Sequence, residues 1–198
     1  LISDKTDAPT AFVSPGNTYL SREAGPVSRT DNPLDVAVSG DAWLAFQGPT
    51  GIVYTRDGRM TMTPEGALTT LTGYPLLDVG GAPIQLNPAA GAPVIARDGM
   101  MTQNGNQMGA LGLFTIPEDA NLTRQENSGV VPDRAAQPAL DFNRVGILQG
   151  FTEQSNVNPV SEISRLIQIQ RSFDSINNAI AQSEQTLSQA VRTLGETS

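Results

Sequence analysis

Apolar residues recur at every seventh position through the last quarter of the chain. Leu166, Phe173, Ile180, Leu187 and Leu194 form one series; Ile169, Ile176 and Ala190 form a second, three residues on, with Ser183 as its polar break. This is an a/d seam held for about four heptads, the pattern of a helix that buries one stripe against another helix. Ile163 and Ile167 widen the stripe near its start. Asn158 before Pro159 reads as a helix cap followed by proline at the first helical position. From Pro159 to Leu194 such a helix spans roughly 50 Å at about 1.5 Å per residue. The compact domain that the remainder of a 198-residue chain can form is too small to cover it. The seam therefore needs a partner of similar length, from a segment before residue 1 or from a neighbouring subunit. Without a partner it is expected to fray, to fold back or to pair with another copy. The positions on which an assembly interface rests are Leu166, Ile169, Phe173, Ile176, Ile180 and Leu187; a purely intramolecular core is the alternative reading.

The chain ahead of this segment is of another kind. Gly 19 and Pro 14 together make about one residue in six, and nearly all fall before residue 158. With hydrophobic content at 38%, this composition describes a turn-rich β chain rather than a disordered one. Leu34 to Val38 alternates and ends at Ser39-Gly40-Asp41; Trp43 to Phe46 is a short apolar strand with Trp43 and Phe46 as candidate core, stopped by Gly48-Pro49. Ile52 to Thr55 and Met60 to Met62 flank Arg56-Asp57-Gly58, and the strand, Arg-Asp-Gly, strand pattern returns at Val94 to Met101. An Asp-Gly between such runs signals a hairpin, because primed turns need positive φ. Thr63-Pro64-Glu65-Gly66 is a further turn, and Leu111 to Ile116 a buried strand. Residues 117–144 read as a polar, irregular loop. The expected organisation is a mainly β outer domain over residues 1–150 and one long C-terminal α-helix within 151–198.

Composition removes several functional classes. Twelve basic against twenty acidic side chains give a net charge of −8, which offers no footprint for nucleic acid and disfavours anionic membrane surfaces. There is no cysteine and no histidine. Disulfides, zinc sites of the usual kind and every Ser-His-Asp or Cys-His arrangement are therefore excluded. No stretch approaches the roughly 18 apolar residues of a membrane span. The Asp-Gly pairs lack the ligand spacing of a calcium loop. The glycines at 105, 109 and 112 do not form a phosphate-binding G-x-G-x-x-G. Asp35, Asp41, Asp57, Asp78 and Asp98 sit in or beside turn signals, as solvated carboxylates rather than the acid pair of a hydrolase. No catalytic residue, cofactor or metal is expected. A secreted β-rich binding module and a carboxylate-based hydrolase are the rival classes.

Three segments resemble the axial proteins of the bacterial flagellum, the rod and hook family. The first is Thr30-Asp31-Asn32-Pro33-Leu34-Asp35-Val36-Ala37, running on to Gly40-Asp41-Ala42-Trp43. The second is Tyr54-Thr55-Arg56-Asp57-Gly58, followed by Gly66 and Gly73-Tyr74-Pro75-Leu76-Leu77. The third is Gln149-Gly150-Phe151-Thr152-Glu153-Gln154-Ser155-Asn156-Val157-Asn158-Pro159-Val160, continuing through Gln170-Arg171-Ser172-Phe173. Ala96-Arg97-Asp98-Gly99 and Gly109 to Phe114 look most like the proximal-rod members, with the distal-rod type the close rival. Asp31 and Ala42 stand where the family has glycine. Family members begin with a helix carrying an S-N-N-I-A-N-like segment, which nothing in residues 1–30 matches; residue 1 is Leu, so some dozens of residues are expected to precede it. The resemblance implies a structural subunit whose terminal helices pack in the inner tube of a helical assembly, with the β domain outside. It implies partners in copies of the same chain, other rod and hook proteins and the flagellar export apparatus, without nucleic acid or membrane insertion. It also implies export without a cleaved signal peptide, a place in the periplasmic part of the basal body, transmission of torque and no enzymatic activity.

Overall fold

The computed structural model describes residues 20–195; within the helix, the side chains of Glu184 and of residues 187–195 lie outside the description. The chain divides into two units that meet between Gln154 and Ser155.

Among the described residues the first unit is antiparallel β apart from one 3-10 turn, Pro88–Ala90. Six strands pair in the order β11-β12-β4-β3-β10-β13. They are β3 (Trp43–Gly48), β4 (Gly51–Thr55), β10 (Leu113–Thr115), β11 (Leu122–Arg124), β12 (Gly129–Pro132) and β13 (Gln137–Pro138). Four more pair as β14-β2-β5-β6: β2 (Asp35–Ser39), β5 (Gly58–Met62), β6 (Leu68–Thr70) and β14 (Gly146–Gln149). A three-stranded meander holds β7 (Val94–Ile95), β8 (Met100–Gln103) and β9 (Asn106–Ala110). A two-stranded ribbon joins β1 (Val27–Arg29) to β15 (Phe151–Glu153).

One core spans the three larger sheets. Val36 and Val38 of β2, Leu44 and Phe46 of β3, Met60, Leu68, Ile95, Met101, Leu113 and Ile147 all belong to it. Successive residues of a strand face opposite ways. On β3, Leu44 and Phe46 enter this main core, while Trp43 packs on the other side with Ile116, Ala120 and Val130. Covered on both faces, β3 is an unbroken apolar run rather than an alternating one. Trp43 and Phe46 are core residues, as their sequence context suggests.

Two sequence expectations fail here. The Arg56-Asp57-Gly58 turn is not a hairpin: β4 pairs with β3 and β12, whereas β5 pairs with β2 and β6. The turn is a corner where the chain leaves one sheet for another. Gly58 is required by close approach rather than by turn geometry, since a Cβ there would lie 2.1 Å from the Val36 carbonyl oxygen. Arg97-Asp98-Gly99, with the same letters, does close a hairpin between β7 and β8. The second failure is residues 117–144, which supply β11, β12 and β13 to the six-stranded sheet. Each of these strands is only two to four residues long, too short to show a period.

The second unit is one helix, α1 (Pro159–Gly195), of 37 residues. No helix among the described residues is long and apolar enough to cross a membrane.

Candidate assembly interface

Local chemistry starts α1 where the sequence signal lies. The Asn158 side-chain oxygen accepts from the amides of Val160 at 3.1 Å and Ser161 at 3.3 Å. Its carbonyl accepts from Glu162 N–H at 3.1 Å. Pro159 occupies the first position, where its missing N–H costs nothing. Glu162 in the first turn faces the positive end of the helix dipole and also pairs with Arg165 at 3.2 Å. Ser164, Ser172 and Thr186 return their hydroxyls to the carbonyls four residues earlier. They satisfy themselves within the helix, and no described residue of α1 is buried.

The seam lies open. Leu166 is 55% exposed, Ile169 64%, Phe173 64%, Ile176 58% and Ile180 52%. Leu187, with Ala190 and Leu194, lies outside the described side chains. The helix is continuous, so a frayed or covered seam, expected for one without a partner, is not what the single chain shows. Five large apolar side chains thus stand exposed along one stripe of the helix, an arrangement characteristic of surfaces that meet a partner. The widening expected from Ile163 and Ile167 takes a different form. With Val160 they make a patch turned away from the stripe.

The chain enters this helix from the β1–β15 ribbon, where Val27 is paired with Glu153 and Arg29 with Phe151. The ribbon sets the first and last strands of the described β unit side by side. Glu153 is also half of a buried ion pair. Arg56, at the corner after β4, places Nη2 2.8 Å from the Glu153 carboxylate; the two side chains are 11% and 10% exposed. The other guanidinium N–H groups reach the carbonyls of Val38, Gly40 and Ala42 at 2.8–3.0 Å. The guanidinium carbon sits 5.9 Å from the centre of the Trp43 ring. Glu153 in turn accepts from the Gly25 amide at 3.0 Å. One arginine thus fastens the turn between β2 and β3, the corner and the ribbon. Arg56 and Glu153 fall in separate sequence motifs, 97 positions apart, and no local signal connects them.

The turn aspartates serve their own loops. Asp78 accepts from the amides of Gly80 and Ala82, and Asp98 from that of Met100. Asp35 accepts from the Asn32 side chain. Burial pushes the Asp57 carboxyl up, but Arg59, held by two side-chain hydrogen bonds of 2.6 and 2.8 Å, outweighs that and leaves it below the usual range. Asp31 adopts φ of +59°. Aspartate tolerates this left-handed region, which glycine enters without strain.

A packed β body carrying a long helix with an open apolar stripe is the architecture of a subunit built for assembly. The comparisons with known proteins give that class a family. The family described as flagellar basal body rod FlgEFG protein C-terminal matches residues 148–193, from the end of the β unit through most of α1. A flagellar basal-body rod protein FlgF of Mesorhizobium japonicum is 44% identical over the whole chain, which covers 82% of the relative. One of the same name from Rhizobium meliloti is 43% identical over 98% of the chain and 81% of the relative. A FlgG rod protein of Buchnera aphidicola (subspecies Schizaphis graminum) is 32% identical over 88% of the chain and 70% of the relative. The chain belongs to the FlgF family of flagellar basal-body rod proteins.

Proposed function

We propose that this chain builds the proximal segment of the flagellar rod, with the α1 seam as the surface by which its helix enters the axial core. Family membership makes it a structural subunit of the basal body that assembles with other rod and hook proteins. The observation that carries the finer reading is the apolar stripe at Leu166, Ile169, Phe173, Ile176 and Ile180, left exposed along a family-matched helix; Leu187 continues it in sequence. Packed knobs-into-holes against another helix, the stripe joins subunits lengthwise, and a continuous hydrogen-bonded helix resists bending and twisting. That is the mechanical requirement of a shaft that transmits torque. The β unit forms the outer part of such a shaft.

The same reading includes export of the unfolded chain through the flagellar secretion apparatus, without a cleaved signal peptide, into the periplasmic part of the basal body. A chain without cysteine suits that route, because it has no thiols to pair wrongly in an oxidising compartment.

Phe173→Asp and Ile176→Asp test the seam. Either variant buries a charge against apolar neighbours in the assembled state, at a cost of roughly 3 kcal/mol or more. The expected outcome is loss of the protein from isolated basal bodies and loss of swimming, with an unchanged thermal transition for the β unit. Normal motility in both variants would refute the seam.

A further inference from the structure

Segments far apart in sequence meet over β3 and β4. The turn between these strands brings Pro49 and Thr50, the loop from β11 to β12 brings Gln125 and Glu126, and the chain beyond β6 brings Tyr74. With Phe46 and Val53 as floor, they line an open cleft of about 330 Å³. No residue of α1 lines it, and the function proposed above makes no use of it.

The cleft joins an aromatic surface to a negative charge. Phe46, 1% exposed, stacks on Tyr74 with ring centres 5.6 Å apart and planes 19° apart. Tyr74 is only half-buried, so its ring is the part of the stack that meets solvent. Its hydroxyl donates to Glu126 Oε2 at 3.0 Å, across 52 positions of sequence. That hydrogen bond raises the Tyr74 hydroxyl above its ordinary titration range, so the proton stays on the phenol and the charge on Glu126. A carboxylate has lone pairs beyond the one this hydroxyl uses. Glu126 is the only charged residue lining the cleft. Arg124, the nearest arginine along the chain, shares its side of β11 with Leu122, which packs in the Trp43 cluster on the face away from Phe46.

The loop that carries Glu126 is already fixed. Gly129 N–H donates to the Glu126 carbonyl at 3.0 Å and Gln125 N–H to the Gly129 carbonyl at 2.8 Å. The Thr55 hydroxyl donates to the Asn127 carbonyl at 3.2 Å. Asn127 and Ser128 are held at φ of +56° and +51°, a region that few residues other than glycine adopt. A carboxylate held in place beforehand lowers the ordering cost of binding.

An aromatic surface edged by a carboxylate suits a flat cation. A guanidinium stacks on a ring and offers a carboxylate paired N–H donors, whereas an ammonium supplies a point charge. Gln125 and Thr50 add acceptors at the rim. The charge of the β unit favours the same partner: residues 1–154 hold nine basic and sixteen acidic side chains, a field that draws cations. We propose that this cleft takes an arginine side chain of a neighbouring polypeptide, stacked on Tyr74 and paired with Glu126.

Titration of the isotope-labelled chain with N-acetyl-arginine amide, followed by nuclear magnetic resonance, tests the chemistry. The expected result is a saturable shift of the Tyr74 and Glu126–Gly129 amides, with affinity about fivefold weaker in Glu126→Gln. The matched citrulline compound, equal in shape but uncharged, should leave them unmoved. No saturable shift, or equal shifts with citrulline, overturns the proposal. A photo-crosslinking amino acid at position 50 of the full-length protein, in isolated basal bodies, tests the occupant. The expected crosslink falls beside an arginine of another polypeptide. Crosslinks only to segments without arginine, or none from basal bodies that contain the protein, overturn it. Glu126→Gln touches no residue of α1, so the seam and this cleft stand or fall separately.

Discussion

The β unit and the helix treat the same kinds of side chain in opposite ways. Leu44, Leu68 and Met101 are completely buried, drawn into one core by three sheets. Phe173, larger than any of them, stands 64% exposed on α1. The β unit spends its apolar residues on its own stability. The helix leaves them exposed, although a helix gains stability chiefly from packing its apolar face. The difference also runs through the charges: the acidic excess lies on the β unit, while the described stretch of helix to Ser183 is neutral. One region buries its apolar residues within itself; the other leaves them exposed, which the proposed function assigns to assembly.

Three substitutions probe that division, beginning with the largest effect. Glu153→Ala leaves the Arg56 guanidinium buried without its counter-charge. Losing one partner of a buried pair costs about 3–5 kcal/mol. The thermal transition of the β unit should fall accordingly, with hydrogen exchange accelerated first at Val27–Arg29 of the ribbon. A loss below about 1 kcal/mol would mean the clasp does not hold the ribbon down. Asn158→Ala removes the helix cap and should cost about 1 kcal/mol, seen as lower helical signal in circular dichroism with the β transition unmoved. If both change together, the two units are not energetically separate.

The smallest effect concerns Asp57. Its carboxyl titrates below the ordinary aspartate range in the folded chain. The contribution it makes is therefore full at neutral pH and is lost as the pH falls below about 3.9, the unfolded value, and through the lower folded one. With Arg59 half exposed, the pair contributes less than about 1 kcal/mol. Asp57→Asn should shift the neutral-pH transition slightly and flatten its acid dependence, measured as the midpoint of thermal unfolding against pH. A steeper acid dependence in the variant would reverse the sign assigned to this group.

Much of the helix is legible in the order of its residues. The heptads, the Asn158-Pro159 start and the polar Ser183 break are all local features, and helical geometry follows from neighbours three and four residues apart. That the stripe is a separate face from Val160, Ile163 and Ile167 emerges only when the residues are set on a continuous helix. The hairpin at Asp98-Gly99 is readable, yet the identical letters at Asp57-Gly58 mislead, because pairing with β2 and β6 is decided far along the chain. Asn104-Gly105, with φ of +49° and +76°, turns β8 into β9; its Asn-Gly pair is a local hairpin signal that the more conspicuous glycine spacings around it obscure.

Composition and short-range order were enough to specify a helix with a greasy stripe, an acidic turn-rich β body and a chain with no thiol or imidazole chemistry. Long-range packing was needed to bring Arg56 to Glu153, to make Gly58 yield room to Val36, and to draw the polar stretch after Ile116 into a six-stranded sheet. Such pairings link residues tens of positions apart, and nothing in a local window records which distant strand will supply a backbone's hydrogen bonds.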